Sequence, residues 1–215
     1  MKPFLAFALL SFALAQGILG TESFLEPFDT ASSDLAGYLL QGRDGVWSGQ
    51  IVDGAYQLSN SEDALAVEYV YLTALPGLSA PLSAAEVSVE VAGEFTAPDT
   101  SGAGLVFNVD PGTRFYYAFM VKSGAVSLAL RDEAGFQELA STTTDALREG
   151  VNRLTVTPEG ELLRFLVNGT EVMSIESPSL PAGGVGLIAA GTGRFTFDNF
   201  AVGSVSPKPS RKTAP

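Results

Sequence analysis

From about residue 22 onward the chain is written in short runs of β-branched, aromatic and leucine side chains, each broken within eight to twelve residues by Gly, Pro, Asn or Asp. Within several runs the apolar positions recur at every second residue: Val67, Tyr69 and Tyr71, then Val87, Val89 and Val91. A period of two places one set of side chains on one face of a strand. The runs predict strands over 22–28, 46–52, 55–59, 64–72, 85–95, 103–110, 114–122, 125–132, 135–140, 151–158, 161–167, 170–176, 184–190 and 194–202. Asp53-Gly54 and Asn168-Gly169 each stand between two such runs and predict two-residue hairpin turns, whose central residues need positive φ. Pro111-Gly112 and Glu133-Ala134 mark two further reversals, and a Pro/Gly-containing loop spans 74–81. Helical periodicity is weak; 141–149 is the best candidate for a helical turn, and 33–40 reads as a short helical or irregular piece.

About 13–14 strands without crossover helices cannot make a parallel sheet. Two stacked antiparallel sheets, an all-β sandwich, are the economical arrangement. No fixed-period repeat appears, which argues against a propeller or solenoid. Residues 16–205 are expected to form one domain. The polar, proline-rich stretch 206–215 has nothing with which to bury itself and is expected to be a disordered basic tail.

The N-terminus has the layout of a signal peptide over residues 1–15: Lys2, an apolar stretch 4–14, and Ala13-Leu14-Ala15 as a small-x-small cleavage site before Gln16. The apolar stretch is too short for a bilayer span of ~20 residues. The expected destination is outside the cytoplasm: periplasm, cell surface or medium. Cysteine and histidine are both absent, which removes thiolate nucleophiles, Ser-His-Asp triads and imidazole metal sites. The 24 acidic residues all lie between leader and tail, whereas four of the twelve basic ones (Lys2, Lys208, Arg211 and Lys212) lie in those ends. The domain therefore carries a formal charge of about −16, hostile to nucleic acid phosphates and anionic lipid.

Several segments together resemble the concanavalin A-like jelly roll of legume lectins, laminin G modules and laminarinase-like glycoside hydrolases. These are Gly102-Ala-Gly-Leu-Val-Phe-Asn, Arg114-Phe-Tyr-Tyr-Ala-Phe, Val126-Ser-Leu-Ala-Leu, Gly150-Val-Asn-Arg-Leu-Thr-Val, Phe165-Leu-Val-Asn-Gly, and Gly184-Val-Gly-Leu-Ile with Phe197-Asp-Asn-Phe. In order and spacing they are most similar to the bacterial exported domain known as 3-keto-disaccharide hydrolase or laminarinase-like, over roughly residues 24–202. The resemblance implies a sandwich that hosts lectins, enzymes and adhesion modules alike. It also implies a calcium site where the first and last strands meet, for which Asp29 and Asp198 are the candidates.

Glycoside hydrolysis needs two facing carboxylates. The Glu-x-Asp-x-x-Glu string of the laminarinase-like enzymes does not occur, and Glu62-Asp63 and Asp132-Glu133 with Glu138 fall at turn-like positions. No catalytic residue is assigned. Sugars dock on exposed rings flanked by polar groups. Phe115, Tyr117 and Phe119 share one strand face and Tyr116 the other, so Tyr116 beside Arg114, together with Trp47, is the expected ligand-binding set. Asn168-Gly169-Thr170 is explained by turn chemistry rather than glycosylation. The resulting expectation is an exported, non-catalytic binding module for an extracellular or cell-surface glycan. The alternatives are a sugar-acting hydrolase-like enzyme and a structural envelope protein.

Overall fold

The computed structural model describes residues 23–30, 33–75, 78, 81–176 and 179–203. The predicted leader and tail lie outside these residues. The fold is the expected all-β sandwich, with fifteen strands among the described residues. The larger sheet runs in the order β13 (Thr170–Glu176), β12 (Leu162–Val167), β11 (Asn152–Glu159), β6 (Val87–Phe95), β15 (Gly193–Val202), β4 (Ala55–Asn60), β3 (Trp47–Val52), β2 (Gly42–Asp44), and β1 (Phe24–Glu26) also pairs with β15. The smaller sheet runs β10 (Gly135–Thr142), β9 (Ala125–Asp132), β8 (Tyr116–Lys122), β7 (Gly102–Val109), β14 (Gly184–Ala190), β5 (Val67–Leu72). Every pairing is antiparallel.

The two sheets meet through their inward alternating residues. Val89, Leu154, Phe165, Phe195 and Phe197 of the larger sheet share one buried cluster with Leu105, Phe107, Phe119, Leu128 and Leu187 of the smaller. Aromatic contacts stitch the layers: the Phe165 ring lies 5.5 Å from Phe107 and 5.2 Å from Phe119, tilted against both. Such tilted pairs add to the simple burial of ring surface.

Asparagine shapes this fold at its irregular points. Asn168, at φ 50°, and Gly169, at φ 82°, make the predicted hairpin turn. The Asn168 side chain does more than tolerate that turn. Its amide donates to the Ala146 carbonyl (2.7 Å) and the Asn152 side-chain carbonyl oxygen (2.9 Å), and its Oδ1 accepts the Arg153 N–H (2.9 Å). In β15, Asn199 (φ 49°) forms a bulge against β6. The bulge shifts the inward phase from Phe195 and Phe197 to Phe200 and Val202.

Three sequence expectations need correction. Strand β2 has no apolar residue and all three positions are exposed, so no periodicity announces it; it exists by pairing with β3. The expected helical turn at 141–149 is instead the end of β10, with Ser141 opposite Ser127 and Thr142 opposite Val126, followed by an irregular turn. The strand expected from Arg114 begins at Tyr116. Asp110 holds the preceding loop as a turn, its Oδ1 accepting the Gly112 N–H (2.8 Å) and its Oδ2 the Thr113 hydroxyl (2.9 Å), which leaves Arg114 exposed at φ 60°.

Between β5 and β7, Gly186 of β14 admits no side chain: a Cβ there would collide with the Val70 carbonyl oxygen and crowd the Tyr71 backbone. Gly186→Ala is therefore expected to destabilise the domain by about 1–3 kcal/mol through overpacking. Gly37, where an added Cβ would point into open space, serves as the control and should change by no more than ~0.5 kcal/mol on Gly37→Ala. Urea unfolding midpoints of the two variants check the contrast.

Candidate functional site

The smaller sheet is apolar on both sides. Its inner face feeds the core just described. Its outer face carries a second buried cluster: Val106 and Val109 from β7, Tyr116, Ala118 and Met120 from β8, Ala129 from β9, and Ile188 and Ala190 from β14. Val67, Tyr69 and Tyr71 of β5 pack against its margin. The Tyr116 and Tyr69 rings approach to 4.8 Å although β7 and β14 lie between their strands, so both lean inward over the middle of the face.

At one end this face opens into a cleft of about 440 Å³. Met120, Ala190 and Val67 line it from the sheet, the turns at Leu65 and Asp99-Thr100 flank it, and Phe136 and Glu138 of β10 contribute from the edge. Leu65 is 80% exposed and Phe136 40%, so an apolar surface and a ring edge face solvent here. The Lys122 ammonium donates to Glu138 Oε2 at 2.8 Å, which fixes both side chains on the cleft wall. Ring, aliphatic floor, carboxylates, ammonium and hydroxyl together can stack on a sugar C–H face while bonding its hydroxyl groups.

The structure separates the three residues expected to bind ligand. Trp47 is 4% exposed and packs in the core at 6.1 Å from Phe195, so its ring offers no surface. Tyr116 is 0% exposed within the outer-face cluster rather than displayed on it. Arg114 is exposed in its turn, and its strand neighbour Tyr116 sits cross-strand from Arg131 instead. The exposed-ring expectation for Trp47 and Tyr116 is thus corrected: alternation places a side chain on a face but does not say whether that face is open. Phe136 and Glu138 line the cleft that the sequence did not assign; the clue was a strand of exposed residues carrying a phenylalanine and a leucine.

Asp198 lies in β15 opposite Glu90 of β6 and accepts the Asn199 N–H at 2.7 Å. Glu90 is also 4.0 Å from Arg153 and accepts the Asn199 side-chain amide at 3.1 Å. Asn199 Oδ1 is a buried acceptor with no hydrogen-bond partner. Asp29 is exposed just beyond Phe28. Among the described residues no group of three or more Asp or Glu side chains converges in a way that would hold a metal. Away from the cleft, burial and then the nearby Asp44 carboxylate push the Glu68 carboxyl above its ordinary range.

No family model matches the chain, and no curated protein sequence matches it. Solved structures do. A prokaryotic β-1,3-1,4-glucanase (lichenase) from a mouse hindgut metagenome aligns with a TM-score of 0.54 at 13% identity, covering 85% of this chain and 99% of that one. The Bacillus licheniformis β-glucanase aligns at 0.55 and 10% identity, over 86% of this chain and 100% of that one. The GH43 BlXynB protein from Bacillus licheniformis reaches 0.58 at 14% identity, over 84% of this chain and 39% of that one. At these identities the likeness shows the fold, and the fold is the concanavalin A-like sandwich.

Burial, reinforced by Tyr69 and opposed by Arg131, pushes the Tyr116 hydroxyl up to about 12. The unfolded chain releases that proton near pH ~10, so the folded state binds more protons in between, and stability falls as pH rises from about 10 to 12. The same hydroxyl is buried without a partner. Tyr116→Phe should therefore be neutral or stabilise by about 1 kcal/mol at pH 7, and should shrink the alkaline loss. Urea midpoints of both proteins at pH 8, 10 and 11.5 test this; destabilisation at pH 7 would show that the hydroxyl has a partner.

Proposed function

We propose that this chain is an exported, non-catalytic binding module whose ligand is an extracellular or cell-surface carbohydrate. The observation that carries the proposal is the cleft at the open end of the smaller sheet's outer face, with Phe136 and Leu65 exposed beside the Lys122–Glu138 pair. An exposed ring gives stacking area at small entropic cost, and a fixed ion pair presents both an acceptor and a donor to vicinal hydroxyls. Two proteins with this fold are described as glucanases, which agrees with a sugar ligand without specifying one. The acidic domain directs the choice toward neutral glycans and away from nucleic acid.

Asp99 and Glu138 both line the cleft, and this favours a second reading as a sugar-acting hydrolase of the laminarinase-like or 3-keto-disaccharide type. Asp99→Asn and Glu138→Gln separate the two readings. In a binding module they weaken affinity and no reducing sugar is released by any form. In a hydrolase they abolish sugar release while the ligand still binds.

Calcium near Asp198 and Asp29 belongs to the same proposal. Asp198 beside Glu90, and the unpartnered Asn199 oxygen, supply oxygen ligands of the kind a hard cation takes. Arg153 on the far side of Glu90 competes for that carboxylate.

The test is a glycan panel, including neutral β-glucans and envelope polysaccharides, probed with protein spanning 16–205 in calcium and again in EDTA. Binding to a defined glycan that falls at least about tenfold on Phe136→Ala is expected, since loss of a stacking ring costs roughly 1–3 kcal/mol. Silence across the panel in both conditions overturns the carbohydrate reading; equal binding in EDTA overturns the calcium.

A further inference from the structure

A second cleft lies on the outer face of the larger sheet and is built unlike the first. Strand register lays one outward row across five strands: Arg43 on β2, Ser48 on β3, Ser59 on β4, Arg194 on β15 and Glu94 on β6. At ~4.8 Å per strand the row spans about 19 Å. Two of its inner members are serines, so the surface dips between the longer side chains that flank them. The dip is a cleft of about 430 Å³, and among the described residues no aromatic ring lines it. On one flank the Arg43 guanidinium is tied to Glu62. On the other, Arg194 and Glu94 are cross-strand partners and both are exposed. Neither of these side chains forms a hydrogen bond or ion pair among the described residues. The Ser48 and Ser59 hydroxyls are equally unengaged.

Both clefts lie at the same end of the sandwich, against three connections that cross between the sheets there. These are 61–66 from β4 to β5, 96–101 from β6 to β7, and 191–192 from β14 to β15. Each connection lends its larger-sheet half to this cleft and its smaller-sheet half to the first: Glu62 against Leu65, Thr96 against Asp99, Thr192 against Gly191. The connections are also tied to one another. The amide of Asn60, 2% exposed, donates to the Gly191 carbonyl at 2.8 Å. The Ser101 hydroxyl donates to the Thr192 carbonyl at 2.6 Å, and the Thr96 and Thr192 hydroxyls meet at 2.8 Å. The wall is thus fixed before any ligand arrives, which lowers the ordering cost of binding.

Two guanidinium groups and two carboxylates line this cleft, so its formal charges cancel. An anion would meet Arg194 but be repelled by Glu94, and a cation the reverse. A neutral polyol suits both. Its hydroxyl oxygens accept from the guanidinium while its hydroxyl protons go to the carboxylate, each a charge-assisted bond. With no ring to stack on, the polar edge of the ligand is read here and not its C–H face. We propose that this cleft is a second sugar-binding site, which takes a neutral sugar by its hydroxyl groups between Arg194, Glu94 and the Ser48–Ser59 floor. The proposal rests on the carbohydrate reading for its ligand class and adds a site that the first cleft does not include.

Amide NMR of the isotope-labelled full chain resolves the two clefts. Neutral gluco-, manno-, galacto- and xylo-trisaccharides are titrated in turn, with trigalacturonate as the anionic probe. A neutral probe is expected to shift the amides of Ser48, Ser59 and Thr192. In Arg194→Met and in Glu94→Gln, binding read at these amides should weaken at least about tenfold, the loss of a bond to a charged group. Gln50→Ala, on the same face but outside the cleft and bonded to Gln57, should change nothing. Phe136→Ala should leave the titration of these amides as it was. Shifts confined to Met120, Phe136 and Glu138 overturn the second site alone. Unaltered affinity in Arg194→Met and Glu94→Gln overturns it too, and tighter binding of trigalacturonate overturns its neutral class. Shifts confined to Ser48, Ser59 and Thr192 support it and count against the first cleft. Silence of every amide under every probe overturns both sites and the carbohydrate reading with them.

Discussion

The larger sheet is organised around a change of phase inside its central strand. Along β15, Phe195 and Phe197 point into the core; the bulge at Asn199 then takes up one extra residue, and Phe200 and Val202 point inward in their turn. The first half pairs with β4 and the second with β1, while β6 follows both on the opposite side. Without the bulge, a strict period of two would send either Phe195 and Phe197 or Phe200 and Val202 to the outer face. Asn is one of the few residues that accept positive φ at small cost, and here its side-chain amide also meets Glu90. Backbone geometry, core composition and a buried polar contact thus converge on one residue.

Most of the strand inventory was legible because half-buried strands alternate, and the hairpin turns were legible because Asn-Gly and Asp-Gly carry their own conformational signature. Strand β2 was not, since an edge strand of Gly, Arg and Asp is specified by its neighbour's open hydrogen-bonding groups and not by any side chain. The tail of β10 was misread for a related reason. Ser141 and Thr142 stay in the sheet through pairing with β9, a contact between residues about fifteen positions apart that no local window contains.

The candidate site was less legible than the fold. Ala103–Val109, Tyr116–Val121 and the β14 run are nearly continuous in apolar residues, the mark of strands buried on both faces. Treating Tyr116 as the outward and therefore exposed partner of Tyr117 assumed that outward means wet. Trp47 failed differently: it stands at the start of a strand beside a polar turn, and its burial depends on Phe195, nearly 150 residues away in the chain. The cleft residues come from β5, β8, β10, β14 and two turns. Their convergence is a product of strand order, which periodicity does not encode.

The placement of β15 has a consequence for how the domain comes into being. Among the described residues, the strand in the middle of the larger sheet comes last in chain order, and it receives the first of them as a partner. Until Gly193–Val202 leaves the ribosome, β4 and β6 have open edges toward each other and the core lacks Phe195, Phe197 and Phe200. Local hairpins such as β3–β4 and β11–β12 can form earlier, but the layered core closes only after β15 has emerged. A nascent chain of this order remains loose until β15 is available, which is the state in which a polypeptide can still be threaded or handed on before it locks.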